Sequence, residues 1–95
     1  MCIRDRVSQM PEISRFYGII IYMFFDDHAP PHFHVQYNEY NAIVEIESGE
    51  IIRGSLPPKQ LKYVQVWADL HKDELSNNFE DLKTSNNNYN KIKPL

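Results

Sequence analysis

Three of the four histidines in the sequence, His28, His32 and His34, fall in one short stretch beside the paired acids Asp26 and Asp27 and the rigid Pro30-Pro31. Imidazoles and carboxylates at that density are the ingredients of a transition-metal site. His32 and His34 stand at i and i+2, so on a strand they share one side and can ligate a single ion, with His28 as a third ligand or Asp26, Asp27 or Glu45 in its place. Zn or Mn held this way with an open coordination position activates water, and Glu45 would then be the general base of a small hydrolase or nuclease. The plainer alternative needs no metal: Asp26-Asp27 turns the chain, Pro30-Pro31 fixes its path, and His32 pairs with Glu45 across two strands.

Other chemistries find less support. Ser14, Ser48, Ser55 and Ser76 sit in no nucleophile-elbow context, the single cysteine, Cys2, lies ahead of the patterned region, and three glycines make no phosphate-binding loop. Lys59 and Lys62 read as solvated surface, Arg15 and Tyr17 as structural residues, and His71 as a core-facing helical position.

The elements that must position the histidines follow from periodicity. Residues 16–25 are β-branched or aromatic almost without a break, which predicts one strand covered on both sides, Ile19, Ile21, Met23 and Phe25 on one face and Ile20, Tyr22 and Phe24 on the other: either a central strand of a two-layer core or a strand whose second face meets a partner. Residues 32–37 alternate cleanly, Phe33, Val35 and Tyr37 on one face and His32, His34 and Gln36 on the other. With Asn38-Glu39 as a two-residue turn, the next strand, residues 40–47, pairs Tyr37 with Tyr40, Val35 with Ala42, Phe33 with Val44, His34 with Ile43 and His32 with Glu45. Gly49 is expected to be the left-handed residue of a three-residue loop into a fourth strand, residues 51–56. Ile52 and Leu56 then face the core, and Arg53 joins His32 and Glu45 in one row on the side away from it. From Pro58, a good first helical residue, Leu61, Val64, Ala68, His71 and Leu75 recur at helical spacing, with Trp67 and Leu70 flanking. The sequence leaves open whether Phe79 and Leu82 continue this helix or begin a second. The expected fold is α+β: a four-stranded antiparallel β-meander with one long or broken C-terminal helix packed on one face.

At 95 residues the chain supports a single domain, and 42% hydrophobic with 13% aromatic content is ordinary globular composition. A net charge of −3 makes direct nucleic-acid binding an unattractive reading, and the apolar run of residues 18–25 is far shorter than the roughly 20 residues that cross a bilayer. A cytoplasmic protein with no membrane contact is expected. Residues 1–9 carry no periodic pattern and are expected to be a non-native or disordered leader, with residues 10–95 forming the domain.

Residues Ile13 through Gly18, Phe25-Asp26-Asp27-His28, Pro30-Pro31-His32-Phe33-His34, the turn at Ile46 through Gly49, the helical run from Trp67 to Leu75 and the closing Lys-Ile-Lys-Pro-Leu together resemble domain of unknown function (DUF) 4160, a family of small bacterial proteins. The resemblance implies a small cytoplasmic protein encoded beside another short protein, an arrangement similar to toxin–antitoxin pairs, and it brings no assigned catalytic residues. The functional expectation is therefore an interaction module whose sheet face, through His32, His34, Glu45, Arg53, Asp26 and Asp27, holds a small protein encoded next to it or a second copy of itself. Histidines in that interface, with ordinary pKa values near 6.5, would make it sensitive to pH.

Overall fold

A computed structural model describes residues 12–24, 30–83 and 90–95. The expected leader, residues 1–9, lies outside the described residues. The α+β class is as expected, but the sheet has five strands in the order β1-β2-β3-β4-β5, every neighbouring pair antiparallel, and two helices follow it. The strands are β1 (Glu12–Phe16), β2 (Ile19–Tyr22), β3 (His32–Tyr37), β4 (Tyr40–Glu45) and β5 (Ile51–Gly54); the helices are α1 (Pro58–Leu70) and α2 (Lys72–Lys83).

The additional strand corrects the reading of residues 16–25 as one continuous strand. Tyr17 and Gly18 both take left-handed backbone angles, φ 52° and 78°, which makes them the two-residue loop of a hairpin joining β1 to β2. A bulge between Glu12 and Ser14 leaves Ile13 and Phe16 buried while Glu12 and Arg15 share the opposite face. The break between the helices falls at His71, whose N–H bonds back to the carbonyls of Trp67 and Ala68. His71 itself is half-buried, its Nδ1 2.5 Å from Glu74 Oε1.

One sheet face is packed dry. Ile19, Ile21, Met23, Phe33, Val35, Ala42, Val44 and Ile46 form a single cluster with Val64, Trp67 and Ala68 of α1 and Leu75, Phe79 and Leu82 of α2. The C-terminal segment closes this core at the β1 edge: Ile92 is buried and its N–H donates to the Ile13 carbonyl. Asn78, itself buried, bonds both the N–H and the carbonyl of Asn90.

The β3–β4 register matches expectation at every pair, from His32 with Glu45 to Tyr37 with Tyr40. The β4–β5 register does not. A bulge between Ile43 and Val44 sets Ile43 opposite Arg53 and Val44 opposite Ile51, so Ile52 drops out of the ladder and is 50% exposed rather than facing the core. Gly49 is left-handed as expected, φ 74°, but the turn is longer: Glu45 N–H bonds the Glu50 carbonyl and Gly49 N–H bonds the Glu45 carbonyl. Among the described residues no helix is long and apolar enough to cross a membrane.

Candidate functional site on the outer sheet face

The face of the sheet away from the helices carries one cross-strand row that spans all five strands. Following the register, Glu12 lies beside Tyr22, Tyr22 beside His34, His34 beside Ile43 and Ile43 beside Arg53. Alternation on each strand explains the row: these positions are out of phase with the buried Ile21, Phe33, Val35, Ala42 and Val44. At its centre the rings lock together. Tyr22 stacks on His34 with centroids 5.3 Å apart and planes 19° from parallel, and Phe24 meets the His34 ring edge-on at 4.3 Å. His32 approaches His34 at 5.2 Å, and Phe24 approaches Tyr22 at 5.8 Å. Tyr22, Phe24, His34 and Ile43 are all only partly buried.

His32 departs from expectation. It was placed on an exposed face, yet it is 8% exposed, because α2 passes the end of the sheet and sets the Phe79 ring 5.5 Å from its own. Its Nδ1 lies 2.6 Å from the Pro30 carbonyl. A carbonyl oxygen only accepts, so Nδ1 carries the proton, and in the neutral ring the lone pair sits on Nε2, the tautomer that metal-bound histidines take when a second-shell group holds the other nitrogen. The Pro30-Pro31 entry is fixed in turn by the Ile46 N–H donating to the Pro31 carbonyl, which extends the β3–β4 ladder one step beyond His32.

Glu45, the candidate base, is opposite His32 in register, and its Oε1 accepts a 2.6 Å hydrogen bond from Ser48 Oγ, which also receives the Glu50 N–H. Arg53 does not join His32 and Glu45: the β4–β5 bulge moves it to the Tyr22–His34–Ile43 row. Asp26, Asp27 and His28 lie outside the described residues, so the His28, His32 and His34 ligand set is represented by His32 and His34 alone. Among the described residues no group of three or more His, Cys, Asp or Glu side chains is placed to hold a metal ion. A cleft of about 180 Å³ opens instead between the β4–β5 turn and the helices, where Gln65 Nε2 donates to the Gly49 carbonyl, and none of the candidate residues lines it.

Two residues of the row carry perturbed acidities. Glu12 is held below the usual carboxylate range mainly by its hydrogen bonds from Arg15, 2.8 and 3.1 Å. Burial pushes the Tyr22 phenol up, since the ring cluster withdraws water from the phenolate. The native state therefore keeps this proton to a higher pH than the unfolded chain, for which the value is about 10. The resulting stability is whole below pH about 10 and falls as pH rises through the raised native value. Urea midpoints measured at rising alkaline pH are expected to fall less steeply for Tyr22→Phe than for the wild type; equal slopes would contradict a shielded Tyr22.

Glu12 and the Pro30 carbonyl were not singled out from sequence. The signal for Glu12 was present in the alternation of Glu12-Ile13-Ser14-Arg15-Phe16 ahead of Tyr17-Gly18. Nothing local marked the Phe79 contact to His32, which depends on the path of α2.

The family model for a domain of unknown function (DUF4160) matches residues 18–80. The chain belongs to the DUF4160 family. Comparison with curated proteins and with solved structures gives no match. The DUF4160 match takes in the whole histidine stretch, Glu45, Arg53, α1 and most of α2. It excludes β1 and the C-terminal segment, the two pieces that bond to each other through Ile13 and Ile92.

Proposed function

We propose that this DUF4160 chain is a protein–protein interaction module of a toxin–antitoxin-like or regulatory pair, and that it holds a small protein encoded beside it on the outer sheet face. The observation that carries this reading is the row itself: aromatic and aliphatic side chains, Tyr22, His34 and Ile43, half-exposed at the centre and flanked by Glu12 at one end and Arg53 at the other. Apolar anchors inside a charged rim are what a protein partner reads, and a rigid sheet presents them at little ordering cost. The rings also suit a protein better than a nucleobase, because Tyr22 and His34 already stack on one another and Phe24 meets His34 edge-on.

The test is co-expression with the neighbouring gene product, followed by titration of the purified pair. Ile43→Glu is expected to weaken binding roughly 30-fold or more, the scale of losing a central anchor worth about 2 kcal/mol. His34→Ala should weaken it less. Binding that survives Ile43→Glu unchanged removes this face from the interface.

A small metal-dependent hydrolase or nuclease is the second reading, favoured by the orientation of His32 through Pro30 and by the nearness of His34. It requires a ligand from Asp26, Asp27 or His28, with Glu45 released from Ser48 to act as base. Metal analysis of protein purified without a polyhistidine tag decides it. Stoichiometric Zn or Mn that disappears in His32→Ala/His34→Ala supports the enzyme, while metal-free folded protein sinks it.

A further inference from the structure

The helix α1 has a second surface that neither the core nor the sheet face uses. Leu61, Val64, Trp67 and Ala68 turn inward, Tyr63 packs partly against the core at the border, and at helical spacing on the outer side stand Lys59, Lys62, Val66, Asp69 and Leu70. Val66 is 49% and Leu70 66% exposed, an unusual placement for two aliphatic side chains one turn apart. The exposed Tyr17 of the β1–β2 turn packs beside Tyr63, ring centroids 5.0 Å apart, and widens the apolar strip.

The charges around that strip run the wrong way for the helix alone. The first turn of α1 has no acid and its last turn no base; Lys59 and Lys62 stand in the N-terminal half, and Asp69 near the C-terminal end. A helix macrodipole favours the reverse, acids at the N-terminus and bases at the C-terminus. Asp73 continues the acidic end into the start of α2, where Lys72 lies among these acids and lines the cleft beside Gly49, and the Glu74 carboxylate is engaged by His71 Nδ1.

We propose that this strip is a self-association surface, and that two copies of the chain pair α1 against α1 in antiparallel fashion about a two-fold axis near Val66. In that register Val66 meets its symmetry mate, Lys62 faces Asp69 and Leu70 of the other copy, and Lys59 approaches Asp73. A surface that is basic at one end, apolar in the middle and acidic at the other is self-complementary only when reversed, which is the condition an isologous interface must meet. The same reversal sets the two macrodipoles side by side and antiparallel, each N-terminus beside the other copy's C-terminus, and offsets the unfavourable charge placement within each helix. The occupant is a second copy of this chain, on a surface separate from the one assigned to the neighbouring protein.

Sedimentation of the full chain over a broad concentration range tests this. The wild type is expected to show a concentration-dependent monomer–dimer equilibrium, and Val66→Glu/Leu70→Glu to be monomeric throughout. Lys59→Glu/Lys62→Glu and Asp69→Lys/Asp73→Lys should each dimerise at least about tenfold more weakly, since several surface pairs become repulsive together. Mixed in equal amounts, these two charge-reversed variants should recover the dimer as a heterodimer. The first pair of substitutions places acids at the start of α1, where the macrodipole favours them, so loss of dimer there does not come from loss of the helix; circular dichroism checks the fold of each variant. A wild type that stays monomeric, a dimer indifferent to the charge reversals, or variants that fail to complement each other would overturn the proposal. Ile43→Glu should leave the dimer intact, which separates this outcome from that of the sheet face.

Discussion

Replacing Gly54 with alanine is expected to destabilise the protein by about 2–5 kcal/mol, combining roughly 1–2 for a non-glycine residue in a left-handed conformation with roughly 1–3 for forced overpacking. Gly54 ends β5 with φ 84°, opposite Ala42, where the neighbouring Ser55 N–H donates to the Asn41 carbonyl at 3.1 Å. A Cβ there would strike the Asn41 carbonyl oxygen and come within 2.9 Å of the Ala42 Cα and 3.0 Å of the Asn41 carbonyl carbon. All three atoms are backbone, so no side chain can swing away; β4 and β5 must separate. Gly49 supplies the control. Its φ of 74° is as left-handed, but nothing lies within 4 Å of an added Cβ, so Gly49→Ala should cost only the conformational part, about 1–2 kcal/mol. Thermal melts of the two variants side by side separate strain from collision, and equal losses would refute the close approach of β4 and β5.

That close approach belongs to the part of the sheet the sequence did not disclose. The β3–β4 hairpin was legible because a two-residue Asn38-Glu39 loop and strict alternation on both strands fix one register, and a slip by one residue would turn Phe33, Val35 and Val44 to the outside. The β4–β5 pairing lacked that protection. Ile51 and Ile52 are both apolar, so hydrophobicity alone cannot tell which one faces the core, and the bulge between Ile43 and Val44 that decides it leaves no mark in the alternation. The β1–β2 hairpin was hidden for a different reason. Residues 16–25 form an unbroken apolar and aromatic run, and a tyrosine is a rare occupant of a left-handed turn position, so Tyr17 read as strand.

The site followed the same division. His34 beside Ile43, and His32 beside Glu45, came directly from the hairpin register. Arg53 was assigned to the wrong row because its position depends on the β5 bulge. The burial of His32 depends on Phe79, a contact across 47 residues of sequence that no local pattern encodes. A row read from alternation is thus secure only as far as the ladder stays regular, and its charged ends, Glu12 and Arg53, each lie beyond a bulge.

Truncating Trp67 should have a loss of similar or greater size. The indole is fully buried on α1, with centroids 5.4 Å from Phe16 and 5.9 Å from Phe33, so it joins the first helix to β1 and β3 at once. Its Nε1–H donates to the Lys93 carbonyl at 2.8 Å, tying the C-terminal segment to the same point. Trp67→Ala removes this volume from the centre of the core, where the other aromatic of α1, Tyr63, packs only partly buried, and a loss of about 3–5 kcal/mol is expected. Against a total stability of about 5–15 kcal/mol, that lowers the melting temperature by roughly 15–30 °C or abolishes cooperative melting. Trp67→Phe keeps most of the apolar contact but leaves the Lys93 carbonyl without its donor, a further penalty of about 1–3 kcal/mol where that group stays buried. Hydrogen exchange distinguishes the two contributions. If the indole N–H anchors the tail, the Ile92 amide, which bonds the Ile13 carbonyl, should lose protection in Trp67→Phe while the β3–β4 amides keep theirs. Uniform loss across the sheet would mean instead that Trp67 acts through core volume alone and that the tail is held by Asn78 and Ile92.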